Sequence, residues 1–132
     1  MGVLKFLLLL SVLLCSCEGD RRDVLPSYMS ELLSEKSMVL NEYKKSGFLN
    51  GDHTSAFEVT NVKQSDFFNI IEEGNFLPKS ESSIYLNKNT VDLLTWWPKD
   101  YSTHDYYFLN GDDYDVIIIF QEGKIFYCAE FW

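Results

Sequence analysis

The side chains best suited to chemistry in this chain are two histidines and three closely spaced aspartates. His53 and His104 lie in separate polar segments typical of turns, with no third metal ligand at a recognisable spacing. Asp112, Asp113 and Asp115 precede an apolar stretch, and neighbouring carboxylates bind calcium or form the acid–base pair of a glycosidase. Their order does not match a calcium-binding helix–loop–helix site, so solvated turn carboxylates are the simpler interpretation. We therefore predict no bound metal, with these three aspartates as the candidates if one is bound.

Sequence patterns of the common catalytic classes are missing from the chain. It contains no HExxH pair, no paired-cysteine zinc spacing, no phosphate-binding loop, no dinucleotide fingerprint and no G-x-S-x-G nucleophile turn. We therefore predict that the protein is not an enzyme and needs no cofactor. A small hydrolase that uses the acidic cluster is the alternative.

Aromatic side chains form the other candidate site. Tryptophan and tyrosine are frequent at the centres of protein interfaces, because each buries a large area and keeps a polar group for hydrogen bonding. We predict a binding surface made of five such residues, Trp96, Trp97, Tyr101, Tyr106 and Tyr107. The competing interpretation is that one tryptophan fills the core and the other seals its edge.

The charge of the chain is strongly acidic. It has 20 acidic and 11 basic residues, which gives a formal net charge of −9. Such a surface repels nucleic-acid phosphates, so we predict no nucleic-acid binding. An acidic surface is compatible with a basic protein partner, although solubility alone accounts for it equally well.

The first seventeen residues, MGVLKFLLLLSVLLCSC, have the layout of a secretory signal peptide. A basic start at Lys5 leads into an apolar run that is too short to span a bilayer. The closing stretch Leu14-Cys15-Ser16-Cys17 resembles the lipobox of bacterial lipoproteins, in which a leucine lies three residues before the lipidated cysteine. The resemblance implies a signal peptide over residues 1–17 that ends at or just before Cys17, and lipidation of Cys17. It also implies a membrane anchor in the cell envelope, facing the periplasm or the exterior; secretion as a soluble protein is the alternative.

The remaining sequence predicts a tether and one domain. Residues 18–25 are mostly polar and predict a short tether, and residues 26–132 suffice for one small domain. The predicted fold class is α+β, an antiparallel sheet packed against a long N-terminal helix over residues 27–45 and a short helix, Asp66–Glu73. Strands are also expected at Ala56–Val62, Ser83–Leu86 and Tyr106–Leu109, while Thr90–Trp97 fits either a helical turn or a strand.

The last third of the chain predicts a central hairpin. With Glu122 and Gly123 as the loop residues, the facing pairs are Phe120 with Ile125, Ile119 with Phe126, Ile118 with Tyr127, Ile117 with Cys128 and Val116 with Ala129. Both faces of this hairpin are apolar, so we expect it at the centre of the sheet, covered on both sides, with helices on one side. If Cys17 carries lipid, Cys128 is the only other cysteine of the mature chain, and we expect a buried thiol.

These observations together predict a membrane-tethered, small acidic binding protein of the bacterial cell envelope. Such a protein would act by protein–protein contact, as an inhibitor or an immunity-type protein does. The alternatives are a small envelope hydrolase that uses acidic residues and a structural envelope lipoprotein without a discrete site.

Overall fold

A computed structural model describes residues 21–47, 51–78, 91–99 and 106–132. These residues form a six-stranded antiparallel sheet together with a 3-10 turn, Arg21–Val24, and two helices, α1 (Ser27–Leu32) and α2 (Gln64–Glu73). The strands are β1 (Met38–Ser46), β2 (His53–Thr60), β3 (Leu77–Pro78), β4 (Tyr106–Asn110), β5 (Tyr114–Gln121) and β6 (Lys124–Phe131). Their order across the sheet is β1-β2-β6-β5-β4-β3.

The hairpin of β5 and β6 lies at the centre of this sheet, and its predicted register is confirmed. All five predicted pairs are observed, from Phe120 with Ile125 to Val116 with Ala129. Glu122 and Gly123 both have positive φ angles, 51° and 74°, as a two-residue type I′ turn requires. Because β2 and β4 flank the hairpin, its two faces are the faces of the sheet itself, and both are covered as expected.

The prediction of a long helix over residues 27–45 is wrong. Only Ser27–Leu32 is helical there, and the chain then enters β1, so the described fold is mostly β with two short helices. The apolar spacing was misleading because β1 contains a bulge at Leu40. The extra residue turns Val39 to one face and Tyr43 to the other. With the exposed Leu40 between them, the apolar residues follow the i, i+1, i+4 spacing of a helix.

The predicted short helix is confirmed as α2. It contains the predicted Asp66–Glu73, begins two residues earlier and ends at Gly74. The left-handed position that follows is taken by Asn75, with a φ of 56°, and Gly74 itself remains right-handed. The side chains that α2 buries against the sheet are Phe67, Ile70 and Ile71.

Three further predictions concern single segments. The strand predicted at Ala56–Val62 is confirmed as β2, which begins three residues earlier and ends two residues earlier. The strand predicted at Ser83–Leu86 lies outside the described residues. In residues 91–99, the N–H of Leu94 donates to the Val91 carbonyl and the N–H of Trp97 to the Leu94 carbonyl, each at 3.1 Å, which are turn contacts.

The sheet buries an apolar layer on each side. We call the side under the two helices the helix face; its largest fully buried side chains are Met29, Phe57, Val59, Ile70, Ile118 and Ile125. The other side, the opposite face, is covered by the turn segment of residues 91–97. Its cluster consists of Ala56, Val91, Leu94, Trp97, Ile117, Ile119, Phe126 and Cys128.

Candidate functional site

A groove of about 470 Å³ opens on the helix face, at the end of the sheet where β1 leads toward β2. Its floor is formed by side chains of β2 and β6, one wall by residues 24–26, and its rim by the last residues of β1. A concave surface of this size, with an apolar floor and a few polar groups at its rim, is typical of binding sites.

The groove exists because small residues lie between two pairs of large rings. Phe57 of β2 stacks on its register partner Tyr127 of β6, with ring centroids 4.4 Å apart and planes 7° from parallel. Further along, His53 stacks on its register partner Phe131 at 4.4 Å and 9°. Between these pairs, Ser55 faces Ala129. The two short side chains leave a notch that the neighbouring rings border.

The wall of the groove is held by Arg22. Its guanidinium donates to the backbone carbonyl oxygens of Ser30 at 2.6 Å, Leu33 at 2.9 Å and Ser34 at 3.1 Å. The last carbonyls of a helix lack helical partners and carry partial negative charge, so a cation at this end of α1 satisfies both needs. The described part of the predicted tether, residues 21–25, is therefore folded onto the domain, with Leu25 only 7% exposed.

The rim of the groove is basic and hydroxylated in a chain that is acidic overall. Lys44 and Ser46 stand on the helix face, opposite Ser55 and His53 in the register of β1 and β2. The ammonium of Lys44 lies 3.2 Å from the carboxylate of Glu42, two positions away on the same face. Its side chain remains largely exposed, so a ligand can reach the ammonium from the solvent side.

His53 was expected in a loop, and the structure places it at the start of β2. One face of its ring packs on Phe131, and its Nδ1 lies 3.3 Å from the Gly51 carbonyl oxygen. His104, the other histidine, is outside the described residues. His53 therefore contributes to the groove.

Two neighbouring titratable residues of β6 lie on different faces of the sheet. Tyr127 lies in the groove floor, and Cys128 lies on the opposite face. Burial, with smaller contributions from Tyr28 and Cys128, raises the pKa of Tyr127 well above its usual value. Burial, followed by the negative charge of Glu130, raises the pKa of Cys128 to about 12. The expectation of a buried thiol is confirmed, and a thiol that stays protonated is a poor nucleophile.

The predicted aromatic surface is divided between the two faces of the sheet. Trp97 is buried on the opposite face, where its ring meets Phe126 edge-on at 6.2 Å, and Trp96 packs half-buried at the border of that cluster. Tyr106 packs against the same cluster, whereas Tyr107 packs on the helix face. Tyr101 lies outside the described residues. The structure thus brings three of these five side chains to one layer, where Trp97 is a core residue.

The acidic cluster lies at the turn between β4 and β5. Asp112 and Asp113 are exposed, and Asp115 is half-buried and accepts a hydrogen bond from the Asn110 amide at 3.3 Å. Within the ranges that the structure describes, no three histidine, cysteine, aspartate or glutamate side chains gather as metal ligands would. Cys17, the predicted lipidation site, is not among the described residues.

Comparison with protein-family models, curated proteins and solved structures finds no match for this chain. In the described parts of the chain, no helix is both long enough and apolar enough to cross a membrane. The groove was not predicted from the sequence. Its signal is the spacing large–small–large, present in His53-Thr54-Ser55-Ala56-Phe57 and again in Tyr127-Cys128-Ala129-Glu130-Phe131.

Proposed function

We propose that this chain is a lipid-tethered binding protein of the bacterial cell envelope, which holds a partner protein in the groove and catalyses no reaction. The observation that supports the proposal is the notch over Ser55 and Ala129. Stacked rings border this notch, and Lys44 lies on its rim. An apolar side chain that fills the notch would release water from the exposed His53 ring and the half-buried Phe131 ring. An inhibitor or immunity-type protein acts by contact of this kind.

The chemistry of the groove specifies the contacting segment of the partner. The floor accepts an apolar side chain, and the exposed ammonium of Lys44 and the hydroxyl of Ser46 suit a carboxylate or carbonyl beside it. The overall charge of −9 favours a partner that is basic elsewhere on its surface. The proposed partner therefore inserts an apolar residue flanked by an acidic group, within a basic surface.

The proposed anchor would keep the domain close to the membrane. Three residues separate Cys17 from Arg21, where the described fold begins. Even fully extended, this connection spans at most about 14 Å. A lipidated Cys17 would therefore hold the groove near the bilayer surface, and a partner in the same compartment would meet it there.

Photo-crosslinking in cells that produce the full chain tests the groove. A photoreactive residue at His53, on the groove rim, is expected to crosslink one partner, and one at the exposed Lys36 is not. Ser55→Trp fills the notch and should abolish the crosslink. Thr60→Trp is the matched control, because Thr60 is also half-buried on β2 but lies at the far end on the opposite face. A crosslink that survives Ser55→Trp would contradict the proposed site.

The anchor has its own test. Mass spectrometry of the mature N-terminus is expected to find an acylated Cys17, and Cys17→Ser should release the protein from the membrane fraction. A mature chain that begins with an unmodified Glu18 would refute the lipoprotein proposal while leaving the groove unaffected.

A further inference from the structure

Strand β1 forms one border of the sheet, and no other described strand pairs with its outer side. It is nine residues long, and Met38 and Leu40 are more than half exposed. The outer side of a border strand presents backbone N–H and C=O groups that can pair with another chain. The question is therefore which strand would complement this one.

Several features of β1 discourage pairing with most strands. The bulge at Leu40 interrupts the regular edge, and Lys44 and Lys45 repel a strand that brings basic residues opposite them. Residues 41–46 remain regular beyond the bulge. A complementary strand must therefore be short and must bring an acidic residue opposite a lysine.

A second copy of β1 meets this requirement in one register. When two identical strands pair in antiparallel orientation, a two-fold axis perpendicular to the sheet relates them. Opposed residues then lie on the same face, and the axis lies midway between the two copies of one residue. An axis at Glu42 would oppose two carboxylates, and an axis at Lys44 would oppose two ammonium groups. An axis at Tyr43 opposes each Glu42 to the Lys44 of the other copy.

We propose that two copies of this chain associate through β1, antiparallel and centred on Tyr43, so that the two sheets become continuous. Glu42 and Lys44 already contact each other at 3.2 Å within one chain. In the paired strands the two acids and two bases alternate around the axis, and each ion has opposite charges on both sides. Asn41 then lies opposite Lys45, which brings no like charges together.

The association through β1 shares Lys44 with the rim of the proposed groove, but the two sites are otherwise distinct. The groove floor is made of β2 and β6 side chains, whereas the association uses the outer side of β1. A dimer that forms without a groove partner, or a groove partner without a dimer, would separate the two.

Disulfide crosslinking of the full chain in its own membrane tests the register. In a chain with the substitution Tyr43→Cys, the two new thiols would face each other at the axis and should form a dimer band under non-reducing conditions. Asn41→Cys is the control, because its two copies would lie about 14 Å apart, which exceeds the span of a disulfide. Equal crosslinking of the two variants would overturn the proposal.

Because Tyr43 packs against the core of the opposite face, a second design leaves it in place. The double variant Glu42→Cys/Lys44→Cys puts a cysteine pair on either side of the axis, at the exposed Lys44 and the half-buried Glu42. It should form a dimer band that is weaker than that of Tyr43→Cys, because the variant also removes the Glu42–Lys44 pairs. Absence of a dimer band in this variant would also overturn the proposal.

Charge reversal gives the readout that is most specific to this register. In the Tyr43→Cys background, Glu42→Lys opposes lysine to Lys44 and should lower dimer formation about tenfold. Lys44→Glu should lower it similarly. The double reversal Glu42→Lys/Lys44→Glu recreates both opposite pairs and should restore the dimer. A double reversal that behaves like either single variant would contradict the Tyr43-centred register.

Discussion

The two faces of the sheet are built from the same strands and solve burial in different ways. On the helix face, β2 contributes Phe57 and Val59, which pack under two helices and the 3-10 turn. On the opposite face, the same strand contributes Ala56 and Glu58, and a turn segment forms the described cover. Glu58 is only 4% exposed, so one face buries a carboxylate while the other is an apolar layer with an open notch.

The buried carboxylate is tolerated because both of its oxygens have partners. The ammonium of Lys124 lies 3.1 Å from Glu58 Oε1, and the amide of Asn41 donates to Oε2 at 2.6 Å. A buried charge without partners would be very costly. The opposite face therefore depends on a specific polar contact between strands that is itself buried in the sheet, whereas the buried layer of the helix face is apolar.

The largest expected effects come from neighbouring core residues that point to different faces. Ile118 on the helix face and Ile119 on the opposite face are both fully buried. Truncation of either to alanine should lower the free energy of unfolding by about 2–5 kcal/mol, because each leaves a cavity in a close-packed layer. Urea denaturation measures both. A loss below about 1 kcal/mol at Ile119 would show that the turn segment collapses into the cavity, which would break the symmetry of the two layers.

A smaller loss is expected from the contact that fastens the N-terminal turn to the helix face. Arg22→Met removes the charged donor from three carbonyl groups and should cost about 1.5–3 kcal/mol. Arg22→Lys is the control, because a single ammonium cannot reproduce the planar guanidinium fork and should recover only part of the loss. Equal stability of the methionine variant and the wild type in thermal melting would contradict this role.

The same contrast between local and distant contacts explains what could be predicted from the sequence. The central hairpin was predicted pair by pair because a two-residue turn sets the register of strands adjacent in the chain. The N-terminal region was not, because the bulge at Leu40 imitates helical spacing and the clamp of Arg22 on α1 is a contact between side chain and backbone. Neither has a signature in the pattern of apolar residues.

The candidate site was predictable in its parts and not in its assembly. The alternation of large and small residues in β2 and β6 is visible in the sequence, but these strands are far apart in the chain and only the fold pairs Ser55 with Ala129. Trp96 and Trp97 illustrate the opposite problem. A tryptophan in the sequence does not reveal whether its side chain is exposed or buried. Only the fold shows that Trp97 is a core residue.

The polar contact on the opposite face gives the next prediction. Lys124→Met leaves Glu58 with one partner and should cost about 1–2 kcal/mol, a modest loss because the lysine is 40% exposed. Adding Glu58→Gln removes the charge that lost its partner. The double variant should therefore be more stable than Lys124→Met alone, and urea denaturation of the four combinations gives the coupling. Strictly additive losses would show that the ion pair contributes nothing to this face.

The smallest expected effect is a loss of stability at alkaline pH, to which each face contributes one titratable residue. Cys128 belongs to the opposite face and Tyr127, next to it, to the helix face, and burial raises the pKa of both. A raised pKa means that the unfolded chain loses its proton first, so the stability contribution is complete at neutral pH and falls as the pH increases. For Cys128 the loss begins near pH 9.0, the ordinary pKa of a cysteine thiol, and ends near pH 12. It amounts to at most about 1.4 kcal/mol per pH unit.

Two variants assign this alkaline loss to one residue or the other. Cys128→Ala should be less stable than wild type at pH 7, and the difference should narrow by about 1 kcal/mol by pH 10, because the variant has no thiol to ionise. For Tyr127→Phe, the difference in free energy of unfolding from wild type should narrow only above the ordinary tyrosine pKa of 10.0. The two variants should therefore approach the wild type at different pH values. Urea denaturation from pH 7 to 10.5 measures both. If Cys128→Ala runs parallel to wild type throughout, the thiol ionises equally in the folded and unfolded chain, and the opposite face must admit water to Cys128.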